Sequence, residues 1–89
     1  MAQVHFTSWL RELVPDGPLE AGGGTVGAAL DAVFAGRPQV RGYVLDDQGA
    51  LRRHVNVYVR GEPVRDRTRL SDPVGPDDEI YVLQALTGG

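Results

Sequence analysis

The chain contains no cysteine. That excludes a disulfide, a thiolate metal site, a nucleophilic thiol and a persulfide held on a side chain. It contains no lysine either: all nine basic residues are arginine, so no side chain can accept an isopeptide bond. Histidine is scarce. His5 and His54 are both expected inside strands, where an imidazole is far more often solvated or hydrogen-bonded than catalytic. No apolar run approaches the ~18–20 residues that span a bilayer, and no signal-peptide core opens the chain. The expectation is a cytoplasmic protein with no membrane partner. A net charge of −3, with no arginine cluster beyond Arg52-Arg53, speaks against nucleic acid. This inventory assembles no catalytic centre and no metal site, and no bound cofactor is expected.

What is present is one small domain, near the lower end of what buries a self-sufficient core. With 42% hydrophobic and 24% charged residues, the 89-residue chain has an ordinary globular composition. The expected organisation is a folded body over residues 1–84 and a flexible tail over 85–89.

Val4-His5-Phe6-Thr7 alternates at period two and predicts a half-buried strand. Leu10 and Leu13 are spaced to cover one side of a turn. Pro15-Asp16-Gly17-Pro18 is turn chemistry, after which Pro18 to Ala21 returns as a short strand. Thr25 is a good N-cap. Val26, Leu30, Val33 and Phe34 then share one face of a helix. Gly36 ends that helix, and Pro38 prevents its resumption. Val40 to Leu45 predicts a short, weak helix, and Asp46 to Gly49 a turn. The clearest strand is His54 to Arg60, with Val55, Val57 and Val59 facing one way and Asn56 and Tyr58 the other. Arg60-Gly61-Glu62-Pro63 is a tight turn, and Val64 starts the return. Leu70 to Val74 reads as an irregular or 3₁₀ crossover and Gly75 to Asp78 as another turn. Glu79 to Gln84 is the last strand.

The order is strand, strand, helix, strand, short strand, strand. It predicts an α+β roll in which a mixed sheet packs on one main helix. The first and last long strands pair in parallel at the centre, which is the β-grasp arrangement of ubiquitin. One sheet face lies under the helix and the other is open.

His54-Val55-Asn56-Val57-Tyr58-Val59-Arg60-Gly61-Glu62-Pro63-Val64-Arg65, Gly75-Pro76-Asp77-Asp78-Glu79-Ile80 and the closing Gly88-Gly89 resemble the MoaD/ThiS family of ubiquitin-like sulfur carriers. Phe6 to Leu13 is similar to the family's opening strand and turn, and Thr25-Val26-Gly27 to its usual helix start. The Val55 to Val59 strand, with its asparagine, is nearest to the CysO-type branch. Two departures stand out. The family tail commonly carries alanine before the glycines, where this chain has Leu86-Thr87. The segment Arg65 to Leu70 lacks the glycine-rich insert usual there.

The resemblance implies a chemistry. An adenylyltransferase resembling the ubiquitin-activating enzymes uses ATP-Mg to adenylate the carboxylate of Gly89. A sulfur donor then leaves a thiocarboxylate there, and a sulfur-accepting synthase takes the sulfur for cysteine, a cofactor or a thio-metabolite. The chain is then a protein cosubstrate rather than an enzyme. Gly88 and Thr87 are small enough to thread a narrow tunnel. Strand alternation places Tyr58, Tyr81 and Leu83 on the open face, with Leu86 at the tail root. Together they predict an apolar patch suited to partner docking. Two other readings stay open: a modifier that forms isopeptide conjugates through Gly89, and a non-covalent β-grasp binding module.

Overall fold

Period-two alternation becomes a sheet. β1 (Ala2–Phe6) buries Ala2, Val4 and Phe6; β3 (Val55–Val59) buries its three valines; β5 (Glu79–Gln84) buries Ile80 and Val82. β2 (Leu19–Ala21) and β4 (Glu62–Pro63) are short edge strands. The computed structural model describes residues 1–14 and 17–84, with the backbone alone at Ser8 and Trp9. Part of the expected turn, Pro15 and Asp16, lies outside the described residues, as does the whole of the tail 85–89 with Leu86, Thr87, Gly88 and Gly89.

The strand order is β2-β1-β5-β3-β4. β1 and β5 run parallel, with Val4 opposite Ile80 and Phe6 opposite Val82, and every other pairing is antiparallel. The mixed β-grasp sheet expected from the element order is therefore the observed one. A parallel pair needs a long crossover, and the chain supplies it by laying α1 (Val26–Gly36) across one face. The Thr25 hydroxyl accepts from the Ala28 N–H at 3.1 Å, and Val26, Ala29, Leu30, Val33 and Phe34 face the sheet. Among the described residues no polar or charged side chain is buried.

Several local readings are corrected. α1 ends at Gly36 as expected, and the short helix expected from Val40 starts earlier, at Pro38, as α2 (Pro38–Val44), where proline's fixed φ suits the first turn and its missing N–H costs nothing. The return strand begins at Glu62 rather than Val64. Arg60 (φ 54°) and Gly61 (φ 78°) both adopt the left-handed conformation, so two residues close the hairpin. His54 sits in the turn ahead of β3, not within the strand. The last residue expected in the first strand, Thr7, instead follows β1 and precedes a 3₁₀ segment over Ser8–Leu13. Its N–H still continues the parallel ladder, donating to the Val82 carbonyl at 3.0 Å.

The segment after β4 is ordered by its own acids. The Asp66 carboxylate accepts from the N–H groups of Thr68, Arg69 and Ser71, and that of Asp72 from those of Arg65 and Asp66. These bonds hold Asp66 at about 2, well below its ordinary 3.8, with the Arg69 N–H the largest cause; they lower Asp72 as well, led by the Arg65 N–H. Leu70 is buried at φ 56°, which turns its carbonyl to the start of α1. There the Gly27 N–H donates to it at 2.8 Å, and the Val26 N–H donates to the Asp72 carbonyl at 3.0 Å. Carboxylate-anchored turns do here what glycines would otherwise do.

Candidate functional site

β5 is hydrogen-bonded on both sides and leads directly into the tail. Whatever grips the tail therefore pulls on the centre of the sheet. Side chains that alternate away from the helix form the open face in successive rows. Nearest the start of β5, register aligns Glu20, Gln3 and Glu79 across three strands. The middle row aligns His5, Tyr81, Tyr58 and Pro63. Nearest the tail, Leu83 lies opposite Asn56.

The middle row contains the aromatic surface. Tyr81 is 36% exposed, while Tyr58, its register partner, and Leu83, the partner of Asn56, are half-buried. On the β1 side, the His5 ring lies 4.3 Å from the Tyr81 ring, tilted by 47°. His5 Nε2 is 2.8 Å from Glu79 Oε1, an arrangement that steadies the imidazole over Tyr81. On the β3 side, Tyr58, Tyr81 and Leu83 floor a groove of about 530 Å³. Its far end is closed by Arg60, Gly61 and the acidic residues Asp77, Asp78 and Glu79. Arg60 pairs with Asp78, whose carboxylate also accepts from the Gly75 N–H at 2.7 Å.

The tail-side end is built differently. Val55 is the register partner of Gln84, so the turn Arg52 to His54 that enters β3 lies at this end of the sheet, with Arg52 Nε donating to the Gly42 carbonyl of α2 at 2.7 Å. Arg67 locks this corner: its guanidinium donates to the carbonyls of Val55 at 2.7 Å and Arg52 at 2.9 Å, and to Asn56 Oδ1 at 3.4 Å.

Of the residues singled out from the sequence, Tyr58, Tyr81 and Leu83 come together on one groove. Leu86, Thr87, Gly88 and Gly89 lie outside the described residues. Sequence reasoning missed His5 and Glu79 as neighbours of Tyr81, and Arg67 as the clamp on the tail-side corner. His5 sits 74 positions from Glu79, and only the parallel register of β1 on β5 joins them. Among the described residues no group of three or more His, Cys, Asp or Glu side chains is placed to hold a metal ion. No described helix is long and apolar enough to cross a membrane. The arrangement offers contact area with a graded rim.

Comparison with known proteins fits this geometry. The model of the ThiS family matches residues 4–89. Small archaeal modifier protein 1 of Haloferax volcanii is 34% identical over 68 residues, covering 76% of this chain and 74% of the relative. The sulfur carrier protein CysO of Mycobacterium tuberculosis is 32% identical over 73 residues, covering 80% and 78%. A chain of the Amycolatopsis orientalis BexX/CysO complex superposes with a TM-score of 0.84 at 29% identity over 100% of both chains. By name, the first of these relatives is a modifier protein and the second a sulfur carrier protein. With a family match that takes in almost the whole chain, and the same fold in its relatives, the protein belongs to the ThiS family of ubiquitin-like sulfur carriers and modifiers.

Proposed function

We propose that the chain is a sulfur carrier whose reacting group is the carboxylate of Gly89. The observation that carries this reading is the family match, which runs through Gly88-Gly89, together with the likeness to CysO. In the first step a Gly89 carboxylate oxygen attacks the α-phosphorus of ATP-Mg on an activating enzyme, and pyrophosphate leaves. In the second, sulfide attacks the acyl carbon and AMP departs, which leaves the thiocarboxylate. A persulfide donor instead gives an acyl disulfide with loss of AMP. A second thiol on the donor side then attacks the donor sulfur, breaking the S–S bond to leave the thiocarboxylate here and a disulfide on the donor. The thiocarboxylate sulfur is the nucleophile delivered to a synthase. The lack of cysteine supports the terminus as the place where sulfur is held. Tyr58, Tyr81, Leu83 and Leu86 are the docking residues in this reading, and Thr87 and Gly88 thread the tail. The similar CysO chain solved in complex with BexX supports a protein partner that receives the carrier, and a synthase is the partner in this reading.

A modifier role is the second reading, favoured by 34% identity to small archaeal modifier protein 1. One experiment separates the two. The purified chain is incubated with its cognate adenylating enzyme, ATP-Mg, a sulfur donor and the soluble proteins of its host, and products are read by intact mass. A gain equal to one oxygen-to-sulfur exchange on the chain is the expected result. Branched adducts on other proteins without that product would establish the modifier reading instead. A wild-type chain that is never adenylated would overturn both.

A further inference from the structure

We infer that the open face is graded in charge from one pole to the other, and that this gradient orients the enzyme that takes the tail. The inference rests on Gly89 being the activated residue and adds the chemistry of the partner surface. The acidic pole lies at the start of β5. There Glu20 and Glu79 share a row through Gln3, and the exposed Asp77 stands in the turn beside them. The basic pole lies at the end of β5, where Arg53 is exposed and Arg67 is held against Asn56, while Arg52 is drawn away to donate its Nε–H to the Gly42 carbonyl of α2 at 2.7 Å.

Opposing charges at each pole are partly accounted for. At the acidic pole Arg60 is paired with Asp78, and His5 faces Glu79. At the basic pole Asp46 directs its carboxylate to the N–H groups of Gln48 and Ala50 in its own turn, which leaves Asp47 as the exposed acid there. The five steps of β5 separate the poles by ~17 Å, at ~3.4 Å per residue. That exceeds the Debye length of ~8 Å at physiological ionic strength, so a partner meets two distinct potentials rather than their sum. The occupant fitted to this face is a protein surface of inverted polarity. It presents arginine or lysine over Asp77 and Glu79, and acidic residues at the mouth that receives the tail. Docked the other way round, it would meet like charge at both poles, and the tail would leave from the wrong end. Complementarity of this kind acts on encounter and register more than on intrinsic affinity.

The test uses three variants of the full chain, Asp77→Arg, Arg53→Glu and the two combined, as substrates of the cognate adenylating enzyme. Pyrophosphate release is followed as a function of ionic strength. Each single variant should lower kcat/KM by about three- to tenfold at low salt, through KM with kcat kept, and the loss should shrink as salt rises. The combined variant restores the native net charge but inverts the gradient, and it should fall below either single one. Recovery of the wild-type value in the combined variant would show that only net charge matters. Unchanged kinetics in all three would show that the poles are not read. Either result overturns the inference while leaving the carrier reading intact. A wild-type chain that is not adenylated removes both. Melting curves matching the wild type exclude a folding defect, and a variant with a lowered melting temperature is replaced by Asp77→Asn or Arg53→Gln, for which the same directions hold at smaller size.

Discussion

Single residues in this chain act mainly through what a Cβ would meet. A Cβ built on Gly27 lies 3.2 Å from the carbonyl oxygens of Arg69 and Leu70, and the second of these already accepts the Gly27 N–H. The Leu70 carbonyl cannot retreat without breaking its bond from the Gly27 N–H at the α1 start. Gly27→Ala gains at most ~1 kcal/mol of helix propensity, and less in a first turn. Crowding two fixed carbonyls costs ~1–3 kcal/mol, so the steric term wins. The expected outcome is a melting temperature lowered by ~4–8 °C for a net loss of ~1 kcal/mol. Gly42, in α2, meets nothing within 4 Å, so Gly42→Ala should do the reverse and stabilise by ~0.5–1 kcal/mol. Thermal melts of the two variants against wild type check both signs. At the reacting end, deletion of Gly89 shortens the reach by ~3.5 Å, more than a near-attack geometry tolerates. Gly88→Val should obstruct threading. Both variants should lose acyl-adenylate formation with unchanged melting curves; normal adenylate from either would refute the assignment of the tail.

Among the elements, the crossover after β4 is held by ionised carboxylates, those of Asp66 and Asp72. Asp66 is half-buried, and its carboxylate is tied by the Arg69 N–H first and the Ser71 hydroxyl next, which brings it from 3.8 to about 2. A depressed carboxylate stabilises the fold above its unfolded value and loses that contribution as pH falls through its folded value. The window is therefore from 3.8 down to about 2. Asp66→Asn should lower stability at neutral pH, and its deficit against wild type should narrow as pH falls through that window. Denaturant titrations at a series of pH values read this directly; a deficit independent of pH would assign Asp66 a purely steric role. This element was the least legible from sequence. In Arg65-Asp66-Arg67-Thr68-Arg69, nothing in the spacing announces that Asp66 folds the segment on itself or that Arg67 clamps β3. The helices and long strands were legible, because alternation and i, i+4 spacing arise within one segment. The start of β4 was not, because it depends on Arg60 joining Gly61 in the left-handed region, a conformation rarely adopted by arginine.

For the whole molecule, the docking proposal separates surface from stability. Tyr81→Arg and Leu83→Arg change side chains on the open face, opposite the helix-covered core. They should weaken binding to the adenylating enzyme by at least ~1 kcal/mol, as expected of anchors in an interface. The melting temperature should stay within a few degrees of wild type. Loss of stability with binding retained would return both residues to the core. The sequence by itself determined the α+β class, the inward valines of β3 and β5, the helix-facing residues of α1 and the chemistry available to a chain without cysteine or lysine. Each of these follows from residue type and from spacing between covalent neighbours. Only the tertiary structure decided that His5 lies over Tyr81, that Glu20 and Glu79 share a row, and that the turn holding Arg53 stands at the Gln84 end of the sheet while Asp77 stands at the other. Those placements depend on which strands pair and in what register, and register is set by burial of the whole sheet against α1, an energy that no single segment contains.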